Sequence, residues 1–184
     1  SIVMSDGVTN YNPALGAIYF GEKTNIKPYT QRVNAIADLF TSCNLNYRIN
    51  EDMIKAIWFK YMCNIGENLT CALLGIPFGA FRTSGNANFI RLAAMREVIA
   101  VANKLNINLS EEDIKFQENV VKAIPFENKP STLQDLESHK LTEIHMFAGR
   151  IMELGKELDV ATPINEIFYY GIRTLEEKPF ENYS

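Results

Sequence analysis

The chain has 184 residues, 47% of them hydrophobic and 22% charged, with a net charge of −4, an ordinary globular composition long enough for one good-sized domain or a domain with a smaller companion. Its 18 lysines and arginines are scattered rather than blocked, which argues against a phosphate-backbone-binding surface and so against a nucleic-acid partner. No apolar run approaches the roughly 20 residues that span a bilayer, and residues 1–10 have neither the basic flank nor the apolar core of a secretory signal, so no membrane partner is expected and the localisation is read as cytoplasmic.

Residues 1–5 and 17–20 are short β-type runs, punctuated by turn signals at Asp6-Gly7, Asn12-Pro13 and Gly21. Residues 29–40 place Val33, Ile36, Ala37 and Phe40 on one helical stripe, and 45–49 alternate like a final short strand. A complete doubly wound nucleotide domain needs several more βα units, so residues 1–50 read as the tail of an α/β domain. The opening on Ser1 rather than Met suggests a chain excised from something longer.

From residue 51 onward every long segment has helical period. Residues 51–74 line up Ile54, Ile57, Trp58, Tyr61, Ile65, Leu69 and Leu73 along one face. A loop with Gly75, Pro77 and Gly79 leads to a helix over 86–105. Residues 110–124 open on Ser-Glu-Glu-Asp, with acids where the helix dipole favours them. Residues 131–158 form one long helix in which Gly149 and Gly155 permit close approach or a bend. Thr162-Pro163 then supplies an N-cap and first-turn proline for a last helix to about residue 176. The fold class is mainly α: a small α/β remnant over 1–50, then an all-helical domain over 51–184.

Cys43, Cys63 and Cys71 make neither a disulfide framework nor a zinc spacing. Cys63 and Cys71 are about 12 Å apart along one helix, too far for a bridge, and all three are read as small buried side chains of a reducing compartment.

Two polar clusters interrupt the apolar pattern. Lys60, Asn64 and Asn68 follow at intervals of four, each rotated only about 40° from the last on an α-helix. Two amides and a cation can bind a keto acid, with the ammonium offering a proton to a developing alkoxide, although such a stripe taken alone is usually a solvated face. The second cluster holds Ser131, which has capping-box spacing to Gln134 at a helix start that could also take a carboxylate. Glu143 lies about 18 Å further along if that helix is straight. His139 and Glu143 are four apart, but His145 points elsewhere and no third ligand is evident, so no metal is expected.

Together these clusters resemble the carboxy-terminal domain of the ketopantoate reductase (2-dehydropantoate 2-reductase) family. The resemblance lies in Trp58-Phe59-Lys60-Tyr61-Met62-Cys63-Asn64 with Asn68 following, in Ser131-Thr132-Leu133-Gln134-Asp135, in Thr142-Glu143-Ile144 with Gly149, and in Thr162-Pro163-Ile164-Asn165. Order and spacing agree over about residues 49–176, and residues 6–21 look like late strands of the family's nucleotide domain.

The resemblance implies a helical substrate and dimerisation domain of the 6-phosphogluconate dehydrogenase C-terminal-like type, preceded by a remnant of a Rossmann domain. It implies an NADPH-dependent reduction of ketopantoate to pantoate, in pantothenate biosynthesis, with NADP(H) bound mainly by an amino-terminal domain. Lys60 matches the catalytic proton donor. Glu143 matches the acid that bonds the substrate hydroxyl and orients the lysine; Asn64, Asn68 and Ser131 match substrate-binding residues. A homodimer through the helical domain fits the same picture. Two departures stand out: His145 occupies a position where the family often has Asp, and no Gly-x-Gly-x-x-Gly turn occurs in the sequence. The isolated chain is therefore expected to be inactive. The alternatives are a paralogous reductase for another 2-keto acid, with His145 as the residue responsible, or a non-catalytic helical interaction domain.

Overall fold

The computed structural model describes residues 2–5, 8–11 and 16–177, which fall into two units, residues 1–57 and 58–184. In the first, β1 (Ile2–Ser5) pairs antiparallel with β2 (Val8–Tyr11), Ile2 opposite Tyr11. β2 falls within residues 6–21, which the family resemblance reads as late strands although the residue pattern marks no β-type run there; the turns expected at Asp6-Gly7 and Asn12-Pro13 lie outside the described residues. β3 (Ile18–Phe20) and β4 (Tyr47–Ile49) are parallel, Ile18 opposite Tyr47 and Phe20 opposite Ile49. A hairpin cannot join parallel neighbours, and α1 (Gln31–Ser42) makes the crossover. It starts at residue 31 because the Thr30 hydroxyl accepts the Val33 N–H at 3.3 Å. The Phe20 ring meets Phe40 and Tyr47 edge-on at 5.3 and 5.7 Å and so ties helix to sheet.

The remaining elements are helical, as expected of a mainly α fold. They are α2 (Met53–Cys63), a first π-helical segment (Asn64–Leu69), α3 (Thr70–Leu74), α4 (Ala80–Thr83), α5 (Gly85–Lys104) and α6 (Glu111–Ala123). Then come α7 (Ser131–Glu137), a second π-helical segment (His145–Gly149), α8 (Arg150–Leu158) and α9 (Pro163–Glu177). In the second unit, α5 is the central element. Ala87, Arg91, Ala94, Val98 and Val101 recur at intervals of four and three, and all are buried. α5 packs against the first π-helical segment, α6, α8 and α9, around a core that includes Met62, Ile65, Leu69, Met95, Ile144, Ile151, Phe168 and Ile172.

Helix ends follow the capping signals. Ser110 and Asp113 complete a capping box. Pro163 opens α9, whose exposed N–H groups at Ile164 and Asn165 are taken by the Glu97 carboxylate of α5 at 2.8 and 3.0 Å. The helix expected over 131–158 is not continuous. It stops after Glu137, His139 turns left-handed at φ 54, and the Lys140 N–H returns to the Asp135 carbonyl at 2.8 Å. That closure is usually built on glycine; here a histidine makes it, and the helical period runs on past the break. Cys63 and Cys71 are buried as expected, and burial pushes the Cys71 thiol up to about 12 and raises Cys63 as well. Cys43 corrects the expectation: it is exposed, at the end of α1.

Candidate active site

The segment from α2 into α3 is buried almost all round: Met62, Cys63, Ile65, Gly66, Glu67, Leu69, Thr70, Cys71 and Ala72 are all inaccessible. This differs from the single apolar face expected over 51–74; Ile57, placed on that face, is exposed, whereas Met62 and Cys63 are in the core. A helix covered on most sides belongs to the core of its unit. Against that background Lys60 is exposed and Asn64 and Asn68 are half-buried. Asn64 and Asn68 are thus a narrow accessible line on an otherwise buried stretch, while Lys60 stands in the partly exposed half of α2, where no residue from Met53 to Tyr61 is buried.

Its geometry also departs from a regular α-helix. Asn64 to Leu69 are π-helical, and i→i+5 bonding widens the turn by about one residue. Asn64 and Asn68, four apart, therefore subtend a different angle from Lys60 and Asn64, and the uniform 40° step does not hold. Short π-helical turns inside α-helices are frequent at functional sites.

The other candidates come from the elements on either side. α7, which starts at Ser131, packs on the first π-helical segment. So does the second π-helical segment, which begins two residues after Glu143. Tyr61 fastens that neighbour to α2: its hydroxyl donates to the Met146 and Phe147 carbonyls at 2.7 and 2.8 Å. Burial pushes the phenol well above its ordinary range, which keeps it a donor. Glu143 is held at its base by Thr142, whose N–H and hydroxyl both donate to Glu176 of α9 at 2.7 Å. A Cβ on Gly149 would stand 3.1 Å from the Tyr169 ring, so glycine there lets α9 close on the second π-helical segment. His145 is engaged by the same tyrosine, Nδ1 to hydroxyl 2.9 Å and ring edge to ring face at 5.2 Å.

With the helix broken at His139, the 18 Å axial separation of Ser131 from Glu143 no longer applies, and His139 and Glu143 are not a helical i,i+4 pair. The capping box expected of Ser131 and Gln134 is also not formed. Pro130 takes the N-cap position, and the Gln134 amide donates to the Lys129 carbonyl at 2.8 Å.

Among the described residues, the Lys60 ammonium, the Asn64 and Asn68 amides, the Ser131 hydroxyl and the Glu143 carboxylate make no hydrogen bond or ion pair. Behind them lies the opposite arrangement, which the sequence reading missed. Glu67 is buried, with its carboxylate 3.2 Å from Arg91 and 3.0 Å from the Gln117 amide at each oxygen. Burial raises the Glu67 carboxyl above its usual range, while Gln117, Arg91 and the nearby charge of Lys60 oppose that rise. The available signal was Arg91, a charge in step with the apolar stripe of α5.

Residues 52–176 match the family model described as ketopantoate reductase PanE/ApbA C terminal. The chain belongs to the ketopantoate reductase family. A 2-dehydropantoate 2-reductase of Streptococcus pyogenes serotype M3 is 33% identical over 131 residues, 70% of this chain and 42% of that protein. The dimeric ketopantoate reductase of Staphylococcus aureus has the same fold, with a TM-score of 0.79 at 16% identity, covering 96% of this chain and 59% of that one. D-mandelate dehydrogenase, solved with NADH and anilino(oxo)acetate, gives 0.73 at 25% identity over 79% of this chain and 61% of that one. The chain spans about half the length of the curated relatives it matches.

Proposed function

We propose that this chain is the substrate-binding and catalytic-lysine part of an NADPH-dependent 2-dehydropantoate 2-reductase, which reduces ketopantoate to pantoate. Family membership supports an oxidoreductase. The observation that carries the site is the line of Lys60, Asn64 and Asn68, exposed at the lysine and half-buried at the two amides, with its polar atoms unspent; α7, which begins at Ser131, and the second π-helical segment, which begins two residues after Glu143, pack on the segment that carries the amides. Negative charge that builds on the substrate's carbonyl oxygen during reduction meets the Lys60 ammonium, which stabilises it and then gives up a proton. Asn64 and Asn68 offer donors and acceptors to the carboxylate and hydroxyl of a small keto acid, Ser131 holds its polar end, and Glu143 accepts from its hydroxyl and orients the lysine.

The described residues do not fit a dinucleotide cradle. Such a cradle needs a glycine-rich turn whose backbone N–H groups face the pyrophosphate. Between β3 and α1 the chain instead puts Glu22, paired with Arg32, and buried Asn25, whose amide donates to the Asn50 carbonyl at 2.6 Å. NADP(H) binding is therefore assigned to a nucleotide-binding part outside the 184 residues, with residues 1–50 as its tail and 51–184 as the helical domain. The full enzyme is read as cytoplasmic; among the described residues no helix is long and apolar enough to cross a membrane. A homodimer through the helical domain is part of the same proposal, supported by the dimeric relative of Staphylococcus aureus.

In the reductase carrying both parts, Lys60→Ala slows turnover by about 10²–10⁴ and leaves the circular dichroism spectrum intact; near wild-type turnover would overturn the mechanism. The 184-residue chain alone reduces no keto acid with NADPH. A second reading, a paralogous reductase for another 2-keto acid, draws on the likeness to D-mandelate dehydrogenase. Assay of ketopantoate against a panel of 2-keto acids decides between them.

A further inference from the structure

We propose that Glu67 is a positioning residue for the substrate: gripped from behind by Arg91 of α5 and Gln117 of α6, it holds the first π-helical segment in the wide turn that sets Asn64 and Asn68 at their working angle. This rests on the reading of the stripe as a keto-acid site. Glu67 lies between the two asparagines in sequence, yet its carboxylate faces the opposite way, into the core.

Three fixings converge on this one turn. Arg91 Nη1 and the Gln117 amide reach the Glu67 carboxylate at 3.2 and 3.0 Å. Arg91 is itself held, with Nε donating to Asn88 Oδ1 at 3.0 Å and its guanidinium over the Phe81 ring at 5.1 Å. Gly66 lies so close to α5 that a Cβ would stand 2.5 Å from Met95 Cγ. Wide turns of this kind persist only where the surroundings over-determine them.

A merely structural role accounts poorly for the choice of residues. Taking a carboxylate and a guanidinium out of water costs as much as their attraction returns, and well-packed apolar pairs are often as stable. What the ionic clamp adds is direction: its acceptor and donors are fixed in angle, and Glu67 follows Asn64 by three residues and precedes Asn68 by one. A shift of about 1 Å in a substrate-holding group is enough to weaken binding or catalysis strongly.

The test uses the reductase carrying both parts, with ketopantoate as probe. Glu67→Gln removes the charge and keeps the shape; a cavity of about 350 Å³ bordered by Phe81, Asn88, Arg91 and Glu118 gives the arginine room to relax. The keto-acid KM rises about tenfold or more, while the KM for NADPH stays within twofold. The triple variant Glu67→Leu, Arg91→Met and Gln117→Leu replaces the whole clamp by apolar side chains, leaves no buried amide without an acceptor, and guards against loss of folding. It melts near the wild type and still shows the raised keto-acid KM. A folded triple variant with wild-type KM for ketopantoate overturns the proposal, as does a rise in both KM values together. Lys60→Ala in the same assay separates the two claims. If it retains turnover, the site reading fails and takes this proposal with it; if it abolishes turnover while both Glu67 variants bind normally, only the positioning role is lost.

Discussion

Replacement of Glu176 by glutamine tests how the base of Glu143 is held. The Glu176 side chain is 2% exposed, and it accepts the Thr142 N–H and hydroxyl at 2.7 Å each and Arg173 Nη1 at 2.8 Å. Glutamine keeps one carbonyl oxygen for Thr142 but loses the charge, and it turns an N–H donor toward the arginine. Charge-assisted bonds contribute about 1.5–3 kcal/mol against about 1 for neutral ones. The substitution therefore costs about 2–3 kcal/mol, or about 5–10 °C in melting temperature for a protein of this size. Desolvation pushes the Glu176 carboxyl up, but the bonds from Thr142 and Arg173 outweigh it and hold the group below its ordinary 4.5. A depressed folded-state value gives stability that is present above pH 4.5 and is lost as the pH falls through that lower value. Urea denaturation of wild type and variant at neutral pH, repeated well below 4.5, should show a gap that closes in acid. Equal midpoints at neutral pH, or a gap that survives acid unchanged, would refute the reasoning.

Two further outcomes follow from the geometry. Alkylation of the native chain at pH 8 should label Cys43 alone, because a thiol near 12, as at Cys71, is thiolate only to the order of 10⁻⁴ and Cys63 is raised too; mass spectrometry showing fast labelling of either buried cysteine would contradict this. Tyr61→Phe keeps the ring beside Phe147, at 6.2 Å between centroids, but strips the donor from two carbonyls. It should cost about 1–2 kcal/mol, and an unchanged denaturation midpoint would show that the hydroxyl does not fasten the second π-helical segment.

The helical class was legible because apolar residues recur at helical period wherever a helix has one face to bury. α5, α6 and α9 were each placed within a few residues, and their starts carry serine, acidic or proline signals. The break at His139 was not legible, since a histidine took the left-handed position usually given to glycine. Nor were the π-helical turns: they are fixed by tertiary partners such as Arg91 and Gln117, dozens of residues away. β2 was legible only through the family resemblance over residues 6–21, because a four-residue strand between turn signals carries too little alternation to register by pattern. For the site, the spacing of Lys60, Asn64 and Asn68 was visible, but whether that line faces bulk water or crosses a buried helix depends on what packs around it. The burial of Met62, Cys63, Ile65 and Leu69 supplies that distinction.

The wide turn at Asn64–Leu69 also bears on how this helix tolerates changes in length. In a regular α-helix, one added or removed residue rotates everything on one side by about 100° relative to the other. A π-helical turn takes up about one extra residue per turn, so it acts as slack. A relative one residue shorter in this stretch could close the turn to ordinary α-helix and keep both flanking faces in register. Its lysine would still stand where Lys60 stands, and its core would still meet α5. The spacing of the two amides alone would change, which makes this short stretch a place where substrate preference can drift without disturbing the fold.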